Sequence, residues 1–146
     1  NLKEWWSPSD AEKFKALADK VVNQYSKYVP IDSLTLNGEL TLGENIADIG
    51  GIAIAYDAFK MTTQGQSDQK TDNLSPDQRF FMSFATIWRL KMKDELMRQL
   101  VMTDVHSPAE FRVNGPLTNF TPFYQAFGVV ENNTMWKAEK DRIKIW

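Results

Sequence analysis

Four Ser-Pro or Thr-Pro pairs, each near the start of an apolar segment, divide this chain of 146 residues into helical segments. A Ser or Thr side chain can accept a hydrogen bond from an unpaired N–H group at the start of a helix. Proline suits the first helical turn because its missing N–H is not needed there. The pairs are Ser7-Pro8, Ser75-Pro76, Ser107-Pro108 and Thr121-Pro122. This punctuation predicts a mostly α-helical fold.

Apolar residues at helical spacing predict three long helices. The expected ranges are 9–28, which Pro30 ends, then 43–61 and 77–101. The second of these is apolar on nearly all sides, which is typical of a helix buried in a larger body. It also contains Gly50-Gly51, and each glycine costs about 1 kcal/mol relative to Ala inside a helix. The pair either lets another backbone come close or is a tolerated weak point.

Shorter elements connect and follow these helices. Residues 34–42 fit either a loop or a short strand. The pattern Ser107-Pro108-Ala109-Glu110 predicts a capping box at the start of a short helix. Asn114-Gly115-Pro116 predicts a turn. A last short helix is expected from Thr121 to a C-cap at Gly128.

Composition narrows the classes of function. The net charge of −2 gives no electrostatic basis for nucleic-acid binding. No apolar run is long enough to cross a bilayer, so no membrane segment is expected in this chain. The absence of cysteine excludes a disulfide scaffold and cysteine-based metal sites. With one histidine, these residues cannot complete an ordinary catalytic zinc site, which needs three protein ligands and an open position.

Glu44 and Asp48 lie four residues apart, on one face of the second expected helix. Like charges repel at this spacing, so buried carboxylates here need partners, and a cation is one solution. One interpretation is a metal ligand with a second carboxylate behind it that holds the imidazole N–H of another ligand. The other is a pair of carboxylates on the one solvated stripe of the helix. Spacing by itself favours the second interpretation, because such pairs are common.

His106 and Arg112 are the remaining candidates for chemistry. His106 can donate a proton or a hydrogen bond to an oxyanion near neutral pH, or it can be an ordinary loop residue. Arg112 can hold a substrate carbonyl or carboxylate through its rigid fork of N–H donors, or it can form a structural salt bridge. Residue type alone leaves both alternatives open.

Longer motifs carry more information than these spacings. Residues 40–51 read LTLGENIADIGG and closely resemble an E-N-I-A-D-x-G-G signature. Residues 104–115 and 80–88 resemble two further blocks of the same family. The C-terminal end of the family's sequences is similar to a further set of residues here, namely Asn119-Phe120, Phe123, Ala126-Phe127 and Trp146. The blocks occur in the family's order and span essentially the whole chain, which is therefore similar to the neprilysin family of zinc endopeptidases.

The resemblance implies a mostly α fold, the C-terminal helical part of a thermolysin-like zinc metallopeptidase catalytic domain, with residues 1–146 as the C-terminal portion of that domain. In the family, an H-E-x-x-H helix supplies two zinc-binding histidines and a general-base glutamate. That motif does not occur here, and in family members it lies shortly upstream of a segment like residues 2–6. The missing N-terminal part of the same polypeptide is thus an expected partner. One Zn²⁺ is expected per intact catalytic domain, and the isolated chain is expected to be inactive.

The resemblance also implies a role for each candidate residue. Glu44 would be the third zinc ligand, and Asp48 the carboxylate that orients a zinc-binding histidine. His106 would stabilise the tetrahedral intermediate, and Arg112 would hold the substrate backbone. The residues expected to line the pocket for an apolar side chain after the scissile bond are Trp88 and Val113.

The expected function is that of a zinc-dependent metalloendopeptidase acting on peptides in an extracytoplasmic location, periplasmic, secreted or at the cell surface. Cysteine is absent where animal members carry disulfides, which points to a bacterial member. Two alternatives are an inactive structural or interaction module on the same scaffold and a small helical binding protein. The binding protein requires Trp5-Trp6 to pack on its own core. A piece of a larger domain instead exposes a broad apolar surface where the zinc helix docks.

Overall fold

A computed structural model describes residue 3 and residues 5–145, whose secondary structure is almost entirely helical. The helices are α1 (Pro8–Tyr25), α2 (Leu42–Lys60), α3 (Pro76–Ile87), α4 (Asp94–Thr103), α5 (Ala109–Leu117) and α6 (Thr121–Phe127), followed by a 3₁₀ turn at Glu139–Asp141. Within these residues, β structure is limited to two isolated bridges, and none of the helices is long and apolar enough to cross a membrane. The prediction of a mostly α fold is confirmed.

Local capping signals set several helix ends as predicted. The Ser7 side chain accepts a hydrogen bond from the backbone N–H of Asp10 at the start of α1. Ser75 and Gln78 form a reciprocal capping box at the start of α3. Gly128 ends α6 in the left-handed conformation, with φ of 63°, which glycine adopts without steric cost. The second expected helix is confirmed to within one residue at each end.

Two apolar clusters hold the helices together, and α2 contributes to both. The buried residues of the first cluster are Val21, Tyr25, Leu36, Ile49, Val101, Phe111 and Ile143. Those of the second are Ile52, Phe81 and Leu117. Ile49 and Ile52 are three residues apart on α2, so one buried side of this helix joins the two clusters. The helix that carries Glu44 and Asp48 is therefore the central element of the fold.

The third long helix is interrupted, contrary to the prediction of a continuous helix over 77–101. α3 ends at Ile87, where the N–H groups of Trp88 and Arg89 donate to carbonyls three residues earlier, in a tight last turn. The helix resumes as α4 at Asp94. Nothing local breaks it, since residues 88–93 contain neither Pro nor Gly. The break begins at Trp88, whose ring contacts the Arg112 guanidinium.

α5 packs tightly on α1, and this explains a second wrong prediction. Asn114-Gly115-Pro116 does not form a turn but lies within the last turns of α5. A Cβ atom at Gly115 would lie 2.6 Å from Cζ of the buried Tyr25 ring, so glycine is needed for close packing rather than for a turn. Pro116 lies in the last turn of α5 and lacks the N–H group that would donate to the Arg112 carbonyl.

The end of α1 differs from the prediction, and the structure of residues 34–42 settles the choice between loop and strand. α1 ends at Tyr25 rather than Tyr28, and the Tyr28 ring turns aside to stack on Phe111, with ring centroids 4.6 Å apart. Residues 34–42 form a loop rather than a strand until α2 begins at Leu42, and the Asn37 side chain caps a turn within it.

One side of α2 faces solvent. The residues on this open face of α2 are Gly43, Ala47, Gly51, Ile54 and Ala58, all exposed. Their spacing of three or four residues places them along one side of the helix. A Cβ atom at Gly43 or Gly51 would meet nothing within 4 Å. The described residues therefore bury one side of this apolar helix and leave the other uncovered.

The indole of Trp5 is 79% exposed. Trp6 lies against Phe14 of α1, with ring centroids 5.2 Å apart. Packing of both tryptophans on the core, which a self-contained binding protein requires, is therefore not observed for Trp5. The flanking residues Leu2 and Glu4, and the C-terminal Trp146 of the last motif, lie outside the described residues.

Replacing Phe81 by Ala should destabilise the chain by about 3–5 kcal/mol, because it removes a buried ring and leaves a cavity. Phe81 is 2% exposed and contacts the rings of Tyr56, Phe120 and Phe123. Denaturant unfolding followed by circular dichroism measures the effect. Met82→Ala, at an exposed position of the same helix, is the control, with an expected change of at most about 0.5 kcal/mol. Equal effects of the two changes would contradict this account of the second cluster.

Candidate functional site

An ion pair between α2 and α5 forms the centre of the site. Arg112 Nε donates to Asp48 Oδ2 at 2.7 Å, and Arg112 Nη2 donates to Asp48 Oδ1 at 2.8 Å. The side chains are only 16% and 12% exposed, so this two-pronged contact is shielded from water. Hydrogen bonding to Asp48 raises the pKa of Arg112 above its ordinary value. The guanidinium therefore stays charged, and its two hydrogen bonds to Asp48 link the two helices.

The flat face of the Arg112 guanidinium is covered by Trp88, which follows α3. The Trp88 ring centroid lies 4.2 Å from Arg112 Cζ, a distance at which a cation is attracted to the negative face of an indole. Asp48 thus binds the edge of the guanidinium, and Trp88 covers its face. Three separate elements, α2, α5 and the end of α3, meet at one side chain.

Glu44 lies one helical turn before Asp48 and has different surroundings. Its side chain is 40% exposed. Its Oε2 atom lies 3.6 Å from Arg112 Nη2 and 3.3 Å from His106 Nε2, both longer than a strong charged hydrogen bond. Asp48 is therefore neutralised by a partner within the chain, whereas the Glu44 carboxylate remains open to a further ligand. The interpretation of two carboxylates on a solvated stripe does not describe Asp48.

His106 is oriented by a carboxylate that the sequence analysis did not single out. Asp104 Oδ1 lies 2.7 Å from His106 Nδ1 and also accepts a hydrogen bond from the His106 backbone N–H at 2.9 Å. These two hydrogen bonds lower the pKa of Asp104. Because an ionised carboxylate only accepts, Nδ1 carries the proton in this contact and Nε2 is left on the side of Glu44. The sequence does contain a signal for this contact, because Asp104 lies two residues before His106. At this spacing an Asp side chain often accepts a hydrogen bond from the backbone.

Ser107 does not form the predicted capping box. α5 begins at Ala109 without a side-chain cap. The Ser107 hydroxyl instead donates to Asn45 Oδ1 at 2.7 Å, and both side chains are buried. The loop that carries His106 is thereby tied to α2 at the residue after Glu44.

A cavity of about 170 Å³ lies beside Arg112 and His106. Its apolar lining residues are Trp88, Leu90, Met92, Met97, Leu100, Pro108 and Ala109. Val113 does not line this cavity but packs against the second apolar cluster. Five of the six predicted site residues therefore converge, and Val113 stands apart from them.

The described side chains supply only part of what a catalytic zinc ion requires. In the part of the chain that the structure describes, no group of three or more His, Asp or Glu side chains is arranged to hold a metal ion. Glu44 fits a single ligand, because its carboxylate is partly exposed and makes no short hydrogen bond. Asp48 does not compete for that role, since both its oxygens are bonded to Arg112. The residues present fit one ligand of a site that other residues complete.

Comparisons with known proteins agree on one family. A profile of Peptidase family M13 matches residues 1–143. A neutral endopeptidase of Lactococcus lactis subsp. lactis is 38% identical over 146 residues, which is 100% of this chain and 22% of that protein. Neprilysin-3 of Drosophila melanogaster is 37% identical over 153 residues, 100% of this chain and 19% of that protein. Membrane metallo-endopeptidase-like 1 of Homo sapiens is 35% identical over 151 residues, with the same coverage of both chains.

Solved structures show the same fold. The zinc metalloprotease Zmp1 of Mycobacterium tuberculosis, in complex with an inhibitor, superposes with a TM-score of 0.94 at 36% identity, over 100% of this chain and 23% of its own. PepO of Lactobacillus rhamnosis gives a TM-score of 0.85 at 32% identity, over 100% of this chain and 22% of its own. The chain thus spans 22% of the length of the first relative above.

Replacing Asp48 by Ala should cost about 3 kcal/mol of stability, because it leaves the shielded Arg112 guanidinium without its main partner. Denaturant unfolding measures this loss. The matched control is Asp19→Ala, which removes the exposed ion pair between Lys15 and Asp19 on α1. That change should cost at most about 1 kcal/mol. A loss for Asp48→Ala no larger than that of the control would contradict a structural role for the buried pair.

Proposed function

Because the chain belongs to peptidase family M13, we propose that it forms part of a zinc-dependent metalloendopeptidase that hydrolyses peptides. Residues 1–146 form the C-terminal portion of the catalytic domain, and the H-E-x-x-H helix stands upstream in the same polypeptide. One observation carries the proposal. Side chains from α2, the loop between α4 and α5, and α5 itself converge on one site. Glu44 lies between His106 and Arg112, and Arg112 is bonded to Asp48.

Glu44 is the third zinc ligand in this proposal. Its open carboxylate, at the start of the central helix, supports the role. Zinc bound there supplies Lewis-acid chemistry, polarising a peptide carbonyl and lowering the pKa of a water molecule. The two histidines and the general-base glutamate come from the upstream helix. The isolated chain is consequently inactive.

Asp48 orients one of those histidines while it also holds Arg112. A carboxylate offers about four lone-pair positions on its two oxygens. The contacts with Arg112 use one position on each oxygen, which leaves acceptor capacity for an imidazole N–H. Asp48 would then couple the metal ligand to the substrate-binding residue through one rigid group.

His106 and Arg112 act on the peptide. Asp104 fixes the ring through Nδ1. In the imidazolium form both ring nitrogens carry protons, and Nε2 then donates to the oxyanion of the tetrahedral intermediate. Arg112 has five N–H donors, of which two go to Asp48. The remaining donors are available to position a substrate backbone carbonyl.

The cavity beside these residues supports a preference for an apolar side chain after the scissile bond. Its walls are largely apolar and include Trp88. Val113 contributes to this preference only indirectly, through the cluster that backs α5.

The open face of α2 is the docking surface for the upstream zinc helix in this proposal. It runs alongside Glu44, its first residue being Gly43. Its small residues allow a second backbone to come close, which also gives a reason for glycine at position 51. An extracytoplasmic location is part of this proposal and rests on the family resemblance.

Glu44→Gln in the full polypeptide should weaken zinc binding by more than about 100-fold, beyond the 10–100-fold typical of lost outer-shell partners. Calorimetric titration of the metal-free protein measures the affinity, and peptide hydrolysis is expected to fall with it. Glu39→Gln, an exposed carboxylate in the preceding turn, serves as the control and should bind zinc as the wild type does. Zinc binding without hydrolysis by the wild type would favour the inactive module. Unchanged affinity of Glu44→Gln would remove the residue from the ligand set.

Gly51→Ala should have opposite effects in two contexts. In the isolated chain nothing lies within 4 Å of the added methyl group. Better helix propensity should therefore stabilise that chain by about 0.5–1 kcal/mol. In the full polypeptide a helix packed on the open face would be pushed away, at a cost of about 1–3 kcal/mol. Denaturant unfolding of both proteins measures the two effects. The control is Asp57→Ala, which is exposed on α2 outside the open face. It should change the stability of both proteins by the same amount. Stabilisation in both contexts would argue against docking at this face.

A further inference from the structure

We propose that Asn45 and Ser107 are positioning residues that fix the His106 imidazole relative to the Glu44 carboxylate. The assignment rests on the proposed function and adds two residues to it. Neither side chain is ionisable, and neither belongs to the group of side chains that meets at Arg112.

A chain of buried hydrogen bonds joins the start of α2 to the loop before α5. Ser107 Oγ donates to Asn45 Oδ1 at 2.7 Å, and Asn45 Nδ2 donates to Thr41 Oγ1 at 2.9 Å. Thr41 Oγ1 in turn donates to the Asn37 carbonyl at 3.1 Å. Asn45 is completely buried, and Thr41 and Ser107 are each 3% exposed. The two hydrogen-bonding groups of the Asn45 amide are thus each satisfied by a hydroxyl group.

The sequence neighbours of this chain give it functional meaning. Asn45 directly follows Glu44, and Ser107 directly follows His106. The Ser107–Asn45 hydrogen bond spans 62 residues of sequence, so it is a tertiary contact between the backbone segments that present the two reactive side chains. A shift of the loop relative to α2 would have to break it.

Breaking this contact is unfavourable because water does not reach it. A buried polar group that loses its partner keeps the full cost of desolvation. A movement of the loop would leave both the Asn45 carbonyl and the Ser107 hydroxyl unpaired. The pair therefore acts as a fixed link, whereas an exposed pair would exchange its partner for water.

Asp104 does not serve the same purpose. It lies in the same loop as His106 and fixes the rotation of the ring, but it does not connect that loop to α2. The imidazole itself is 45% exposed, and its contact with Glu44, at 3.3 Å, is weak. Ser107 and Asn45 supply the connection that the ring lacks. Misplacement of a catalytic group by about 1 Å can cost about 100-fold in rate, so such a connection bears on catalysis.

The test compares Ser107→Ala with Thr41→Val in the full zinc-loaded enzyme. Both changes remove one hydroxyl from the same buried chain, and Val has nearly the shape of Thr. Only Ser107 connects α2 with the loop of His106. The hydrogen bond from Asn45 to Thr41 joins two residues that are four apart at the start of α2. The two variants should lose similar thermal stability and retain the zinc content of the wild type.

The expected result separates the two variants. Ser107→Ala should lower kcat by about 10- to 100-fold with little change in KM, because the oxyanion donor is displaced while peptide binding through Arg112 is kept. It should weaken binding of a tetrahedral phosphonamidate peptide, measured by calorimetry, by a similar factor. Thr41→Val should change both quantities by no more than about twofold.

Other results overturn the assignment. Equal losses of kcat in the two variants would show that the chain only stabilises the fold. Wild-type kcat and phosphonamidate affinity in Ser107→Ala would show that the loop is held by other contacts. A wild-type polypeptide that binds zinc but hydrolyses no peptide would overturn the proposed function itself, and with it this assignment.

Discussion

The contact between Arg112 and Asp48 imposes the geometry on which the site depends. A guanidinium is planar, and a carboxylate that accepts two of its N–H groups must lie in that plane. Once Asp48 occupies the edge, the faces of the plane remain, and Trp88 takes one of them. One side chain thus contacts α2, α5 and the end of α3. The same plane forms part of the wall of the cavity beside His106.

Apolar and polar contacts contribute differently to this fold: the first drive packing, and the second fix the relative positions of particular groups. The two apolar clusters bury large rings and branched side chains, and they supply the general driving force for packing. Such contacts are non-directional. The ion pair at Asp48 and the hydrogen bond at Asn45 each require two particular groups to be aligned. Both lie on α2 within one turn of Glu44, so the site is the part of the molecule where positions are most narrowly set.

Sequence reasoning succeeded where the cause of a structure is local. The caps at Ser7 and Ser75 and the left-handed glycine at Gly128 act within a few residues of themselves, and all three were predicted. It failed where the cause is distant in sequence. Ser107 has the pattern of a cap, but its hydroxyl is engaged by Asn45 in another helix. Gly115 has the pattern of a turn, but its missing side chain makes room for Tyr25.

The candidate site shows the same division. Spacing alone placed Glu44 and Asp48 on one face of α2 but could not tell a ligand from a solvated carboxylate. The partners that distinguish the two carboxylates come from α5 and from the loop before it. The roles assigned to the site residues came from longer motifs that resemble a known family. Asp104 was missed although its signal is local, because a carboxylate near a histidine is common in loops.

The long sequence separation of the site contacts has a kinetic consequence. The bonds from α2 to Ser107 and Arg112 close loops of 62 and 64 residues. Closing such loops costs chain entropy before any contact forms, so they close late in folding. During synthesis, α2 leaves the ribosome before Arg112, with two like charges one turn apart. The arrival of Arg112 removes that repulsion, and the carboxylates therefore acquire their final arrangement only when most of the chain has been made.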